Sequence, residues 1–487
     1  MPYKKLVLSI LFISTSLLTF AQFCQEDRYL DSLFEVEKTY DIDYQQATPY
    51  ASFFESAYAL DVYAPLGDTL SKRPLVIFQF GGGFLIGGKQ LPPADDYCSF
   101  WAERGYVCVS MEYRLGFSPL SAESAERAVY RAAQDLQASL RFLVANSETY
   151  GIDTNNIIIS GNSAGAVTSL HNTFMEQDQA PASHTGYGFT LDASDLGGLY
   201  SSGNTLLNNR EVKIHGLISN WGGISDTNFI GDQPDDMVPT ILFHGDQDNL
   251  VHYDSGNPFD SPFFPTLYGS VYIARALERA DIPYHFETFE GAGHEPELLE
   301  PVYLDSICDL SSHFMYKHLL KPNINSFTGN QLTEITNEEI YTIQSDEPVE
   351  IICANLTKGT VINIDGTDVS IVWDEIGYDT IQIVAQNDIH AKDTILIPVL
   401  IDALSGITEI DNGIDVIVFP NPFMNTISVS SNEKINQLEL FDNRGIKMDV
   451  KVDGNTIETN NIASGIYFLH VSTQNNSAPL IRKLIKH

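Results

Sequence analysis

The sequence predicts a doubly wound, mostly parallel α/β domain followed by two small all-β sandwiches. Three observations carry this. Over residues 28–320, short continuous apolar runs (Leu75–Phe78, Val107–Met111, Ile157–Ile159, Gly216–Ile218, Thr240–Phe243) alternate with helical patterns, as expected of strands covered on both faces. The clearest helical pattern spans Glu123–Asn146. There Ala125, Val129, Ala132, Leu136, Leu140 and Leu143 recur at three- and four-residue spacing, with Ser121 placed to cap the start. After Pro322-Asn323 the chain becomes rich in Thr, Ile, Val and Asp, alternates with period two (Thr380-Ile381-Gln382-Ile383-Val384) and has no long helical pattern.

Taken in order, the elements begin with residues 1–21. Lys4-Lys5 precede an apolar run from Leu6 to Phe20, and Ala21 offers a small residue at the cleavage point. This reads as a secretory signal peptide, too short to span a bilayer. Cys24 follows the bulky Phe23, which does not fit a lipobox, so no lipid anchor is expected. No other stretch suits a transmembrane helix, and none is expected in the mature chain. The 487 residues exceed one core and fit two or three domains. A net charge of −37 argues against nucleic-acid binding and suits an extracellular protein. The five cysteines lack metal spacing, and neither C-x-x-C nor H-E-x-x-H occurs, so no metal or cofactor is expected. Cys108 and Cys353 lie in strand-like runs and are expected as buried thiols, while Cys24 and Cys98 could pair.

Directly after Ile157–Ile159 comes Gly161-Asn162-Ser163-Ala164-Gly165. A G-x-S-x-G turn between strand and helix forces its serine into a strained conformation that lifts the hydroxyl clear of the sheet edge. Side chains at the two glycine positions would strike the neighbouring strand and helix. Serine is a weak nucleophile and needs a base, which in turn needs an orienting carboxylate. After Thr240–Phe243 comes His244-Gly245-Asp246-Gln247-Asp248, which puts two acids, Asp246 and Asp248, at the carboxyl end of a strand. His294, in a glycine-flanked loop after the strand His285–Phe289, is the base candidate. His252 is the runner-up, though too close behind Asp248, and His244 is expected to be structural. Phe80-Gly81-Gly82-Gly83-Phe84 follows the strand Leu75–Phe78, and its backbone can approach a ligand closely. Gly82 and Gly83, with the N–H of Ala164, are the expected oxyanion donors. A phosphate loop is the competing reading, but no G-K-[ST] follows.

With Leu60–Pro65, Glu112-Tyr113-Arg114-Leu115-Gly116 and Arg131-Ala132-Ala133-Gln134-Asp135, these residues resemble the carboxylesterase/lipase family of α/β-hydrolases over about residues 40–320. The resemblance implies the α/β-hydrolase fold and a Ser163–His294–Asp248 triad. It also chooses Asp248 over Asp246, which is left as the fallback and expected turn former. The family has histidine where Phe80 stands, so this loop is expected to be held by packing. Two segments, 172–213 with Tyr187, Phe189 and Tyr200, and 253–270 with Phe259, Phe263, Phe264 and Tyr268, are expected to shape the pocket.

Lys358–Ile362, Val369–Trp373 and Gly377-Tyr378 resemble PKD-like immunoglobulin-type modules, with a generic β spacer as the bland alternative. Val418-Phe419-Pro420-Asn421-Pro422, Phe441-Asp442-Asn443-Arg444-Gly445, Ala463–Phe468 and the basic Lys483–His487 together resemble the type A C-terminal sorting domain of the type IX secretion system of Bacteroidota. That resemblance implies the secretion machinery as a partner and a secreted or cell-surface location. The expected organisation is a signal peptide at 1–21, an α/β-hydrolase domain at 22–322, a sandwich at 323–405 and a sorting domain at 411–487. The expected activity is Ser-His-Asp hydrolysis of short-chain or aromatic acyl esters, as small molecules or linked to polysaccharide. Two alternatives stand beside it. One is a catalytically silent surface adhesion protein. The other is a peptidase of the prolyl oligopeptidase type, which would need a large N-terminal propeller ahead of the catalytic part.

Overall fold

The continuous apolar runs become the inner strands of one eight-stranded sheet. They are seen in a computed structural model that describes residues 27–186, 192, 194–201, 203–231, 237–402, 416–442, 445–474 and 479–486. The expected signal peptide at 1–21, Cys24, Tyr187, Phe189, Asn443, Arg444 and His487 lie outside the described residues. The strands are β1 (Val36–Ala47), β2 (Ser56–Pro65), β3 (Arg73–Gln79), β4 (Val107–Met111), β5 (Ile152–Asn162), β6 (Gly216–Asn220), β7 (Thr240–Gly245) and β8 (Tyr284–Phe289), in spatial order β1-β2-β4-β3-β5-β6-β7-β8. From β4 to β8 every pairing is parallel, while β1–β2 and β2–β4 are antiparallel.

Burial follows this order. Every residue of β4, β6 and β7 is buried, because helices cover both faces. The antiparallel edge strand β1 leaves more than half of its residues in contact with solvent. The longer helices are α1 (Ala94–Glu103), α2 (Ala122–Ala145), α3 (Ala164–Phe174), α4 (Ser270–Arg279) and α5 (Pro301–Met315). Ser121 caps α2 as its position predicts: its Oγ accepts the N–H of Ser124 at 3.2 Å. Buried ion pairs tie α2 to the segments beside it. Arg114 Nε meets Asp135 at 2.9 Å, and Arg131 Nη1 meets Asp192 at 2.8 Å.

Residues 324–402 form two four-stranded sheets packed face to face. β9 (Ile324–Thr328), β11 (Glu338–Ser345), β14 (Asp368–Trp373) and β13 (Gly359–Asp365) make one. β10 (Leu332–Glu334), β16 (Lys392–Asp402), β15 (Gly377–Gln386) and β12 (Glu350–Asn355) make the other. Alternate residues from both sheets, among them Tyr341, Ile371, Trp373, Ile383 and Val399, fill the space between them. This sandwich is bonded to the α/β part: Tyr29 Oη donates to the Ile389 carbonyl at 2.6 Å, and Tyr316 Oη to that of Lys392 at 2.7 Å. Residues 416–486 make a separate unit of a four-stranded and a three-stranded sheet around Ile427, Leu440, Ile457, Leu469 and Val471.

Two cysteine expectations are corrected. Cys353 is disulfide-bonded rather than a free thiol. Cys98 is a free, fully buried thiol on α1, where its neighbour is Cys108 of β4. A strand or helix pattern records that a cysteine is inside, and nothing about its bonding.

Candidate active site

Ser163 is the single residue between the end of β5 and the start of α3, with φ 53° and ψ −116°. Such a backbone costs a non-glycine residue of order 1–3 kcal/mol and persists only where its surroundings enforce it. The flanking glycines are part of that enforcement. A Cβ on Gly161 would overlap the Gly165 carbonyl, and one on Gly165 would overlap the Gln79 carbonyl of β3. The Ser163 N–H donates to the Asn220 carbonyl at the end of β6 at 2.9 Å, which anchors the turn to the next strand.

Three loops at the carboxyl edge meet over this serine. His294 Nε2 lies 2.8 Å from Ser163 Oγ, and His294 Nδ1 lies 2.6 Å from Asp248 Oδ2. The loop after β7 and the loop after β8 pack closely enough that a Cβ on Gly245 would overlap the carbonyls of Ala292 and Gly293. Gln247 N–H donates across to the Ala292 carbonyl at 2.9 Å. Asp248 Oδ1 accepts the N–H groups of Leu250 and Val251 at 2.8 and 3.0 Å, which fixes its other oxygen towards the imidazole. Burial alone would raise the Asp248 pKa. Hydrogen bonds from His244 and His294 outweigh it and hold the carboxyl well below the usual carboxylate range.

Of the other candidates, His244 adjoins the triad, with its Nε2 3.2 Å from Asp248 Oδ2. Asp246 accepts the Gly291 N–H at 2.7 Å and serves the turn. His244 is fully buried between Ser270 Oγ and the Val251 carbonyl, and His252 pairs with Asp260 at 3.0 Å.

Gly82 (φ 109°) and Gly83 (φ 60°) have backbone conformations that glycine adopts freely. Among the described residues, no acceptor takes the N–H of Gly82, Gly83 or Ala164. That of Ala164 is one of the orphan donors at the start of a helix. The loop is held by packing: the Phe80 ring stacks on Tyr113 with centroids 4.4 Å apart, and Tyr113 Oη donates to the Phe80 carbonyl at 2.8 Å.

Beside Ser163 lies an apolar cavity of about 70 Å³, bounded by Gly83, Ala164, Phe84, Phe117, Phe264 and Leu267. Phe259 and Phe264 line it as expected, while Phe263 does not, and Tyr268 packs on Tyr272 instead. Tyr200 packs against the cluster of Tyr130, Met175 and Leu199 and does not line the cavity. Phe84 and Phe117 replace these as pocket aromatics. Both are drawn in by short loops after β3 and β4, a proximity created by the sheet order.

Two carboxylates that no motif singles out complete the site. The Glu295 side chain is next to Gly81, where a Cβ would overlap its carboxylate and touch Ser163 Cβ. Burial raises its pKa, against the opposing pull of His294. Glu297, buried behind the turn, accepts from Asn162 Nδ2 at 2.6 Å.

The sheet order and the serine turn between β5 and α3 are those of the α/β-hydrolase fold. Residues 60–229 match the BD-FAE family, and residues 417–487 match the secretion system C-terminal sorting domain. Carboxylesterase 3B of Mus musculus is 33% identical over 115 residues, 23% of this chain and 20% of the mouse protein. Lipase 1 of Geotrichum candidum is 30% identical over 134 residues, 26% of this chain and 24% of the fungal one. The chain thus spans a fifth to a quarter of the length of these relatives. The apo form of Thermogutta terrifontis esterase 2 aligns at 19% identity and a TM-score of 0.39, over 60% of this chain and 97% of that one. The chain therefore joins an esterase-like α/β-hydrolase segment to a sorting domain, and the sorting domain marks it for type IX export to the cell surface or beyond. Among the described residues no helix is long and apolar enough to cross a membrane.

Proposed function

We propose that the protein is an exported serine carboxylic-ester hydrolase that cleaves short-chain acyl esters through an acyl-enzyme. The observation that carries this reading is the unbroken line Ser163 Oγ, His294 Nε2, His294 Nδ1 and Asp248 Oδ2, with contacts of 2.8 and 2.6 Å. His294 takes the proton of Ser163 as its oxygen attacks the ester carbonyl. Ionised Asp248 holds the imidazole orientation and stabilises the imidazolium. The developing oxyanion is met by the N–H groups of Gly82, Gly83 and Ala164. His294 then returns the proton to the leaving alcohol, and water, activated by the same histidine, releases the acid and restores Ser163.

Because His294 must protonate the leaving oxygen, the alcohol lies on the Glu295 side and the acyl group enters the apolar cavity. At about 70 Å³ that cavity is roughly half the size of one that holds benzene, about 150 Å³, which favours short acyl groups over aromatic ones. An acyl-ester panel assayed with the wild type and Ser163→Ala tests the proposal. Activity in the wild type that is lost in the variant is expected, and equal activity in both would sink the mechanism.

A further inference from the structure

Glu297, in the short turn Pro296–Leu298 just past His294, is 6% exposed. Its Oε1 accepts from Asn162 Nδ2 at 2.6 Å and from Trp221 Nε1 at 3.2 Å, while its Oε2 is buried without a partner. Asn162 immediately precedes Ser163, and its own Oδ1 accepts from Asn220 Nδ2 at 2.8 Å. The Asn220 carbonyl in turn takes the Ser163 N–H at 2.9 Å. A buried chain of hydrogen bonds thus starts on the histidine loop and ends at Asn162 and at the backbone N–H of Ser163.

As packing alone this is a costly choice. A buried carboxylate with one oxygen unpaired is less stable than an apolar side chain of the same size. What it does that an apolar group could not is accept two donors from the ends of β5 and the segment after β6. Burial pushes its pKa up to about 7; Glu295 adds to the rise, while its own backbone N–H, Trp221 and His294 oppose it. Its acceptor strength therefore changes near neutral pH, since hydrogen bonds to an ionised acceptor are roughly twice as strong.

We propose that Glu297 is a positioning residue that fixes the approach of His294 to Ser163 by gripping Asn162 and Trp221 from the histidine loop. This rests on the reading of Ser163 and His294 as nucleophile and base. The test compares the full wild-type chain with Glu297→Gln and Glu297→Ala. It measures kcat and KM on a short-chain aryl ester from pH 5.5 to 9, with circular dichroism to confirm folding. Glutamine keeps a carbonyl acceptor and nearly the same volume but cannot ionise. Its kcat is expected near wild type at pH 5.5 and to fall about tenfold behind by pH 9, with KM unchanged. Alanine is expected to lose about tenfold or more in kcat at every pH.

A glutamine deficit equal at all pH values, an effect confined to KM, or a folded alanine variant with wild-type kcat would overturn the proposal. If the alanine variant does not fold, the glutamine profile decides alone. A wild type with no esterase activity, or a fully active Ser163→Ala, would instead refute the underlying reading.

Discussion

The cavity proposed to take the acyl group ends at a wall that a single substitution should breach. Val129, Pro265 and Leu267 border both the 70 Å³ cavity beside Ser163 and a second cavity of about 140 Å³ beyond it, lined further by Tyr130, His171 and Met175. Leu267 is 9% exposed. The inner cavity holds about two water volumes of 30 Å³, enough for acyl chains of about two to four carbons. Each methylene that fits contributes about 0.8 kcal/mol, so kcat/KM should rise about fourfold per carbon up to that limit and then fall. Leu267→Ala joins the two spaces and should move the optimum to about six carbons or more. It should also admit benzoyl esters, since the joined volume exceeds that of a benzene-binding cavity of about 150 Å³. The variant should lose about 2–5 kcal/mol of stability, so the assay runs at 25 °C beside a thermal melt. Initial rates on p-nitrophenyl esters from acetate to decanoate, with benzoate, read the profile. A folded, active variant whose optimum stays at the wild-type length would refute the assignment of this cavity to the acyl group.

Other outcomes follow from the same geometry. Asp248→Asn should lower kcat by about 10³–10⁴ with little change in KM, because the amide cannot stabilise the imidazolium. Asp246→Asn, which removes only the charge at a turn, should stay within a few-fold, as the same steady-state assay would read. Tyr113→Phe deletes the donor to the Phe80 carbonyl. It should cost about 1 kcal/mol in a urea melt and lower kcat by loosening the glycine loop proposed to hold the oxyanion. Glu297 has a folded pKa near 7, above its ordinary 4.5, so it binds more protons in the native than in the unfolded state between those values. Its contribution to stability therefore falls as pH rises through that window. Glu297→Gln should remove up to about 3 kcal/mol of that loss, seen as a smaller drop in melting temperature between pH 4.5 and 8.

Much of this was legible in the chain because it rests on local rules. The inner strands are apolar runs since both faces are covered, and Ser121 precedes its helix because a hydroxyl can take the first orphan N–H. The G-x-S-x-G turn reads directly, because Gly161 and Gly165 are demanded by atoms within a few residues or on the adjacent strand. The antiparallel strands β1 and β2 were not legible as such, since a half-solvated antiparallel pair carries no continuous apolar run. Glu297 was not legible either. Its burial depends on Asn162 and Trp221, residues 135 and 76 positions away, and no spacing rule encodes such a meeting. The choice of Phe84 and Phe117 over Tyr200 in the pocket is likewise set by loops that converge only once the sheet is ordered.

The most direct measurement is a rapid-mix assay of a p-nitrophenyl butyrate turnover, followed by intact mass of acid-quenched protein. A burst of nitrophenol of one equivalent per chain is expected, with a butyryl adduct that maps to Ser163 and is absent from Ser163→Ala. Turnover with no adduct at Ser163, or an undiminished burst in Ser163→Ala, would contradict the proposed mechanism.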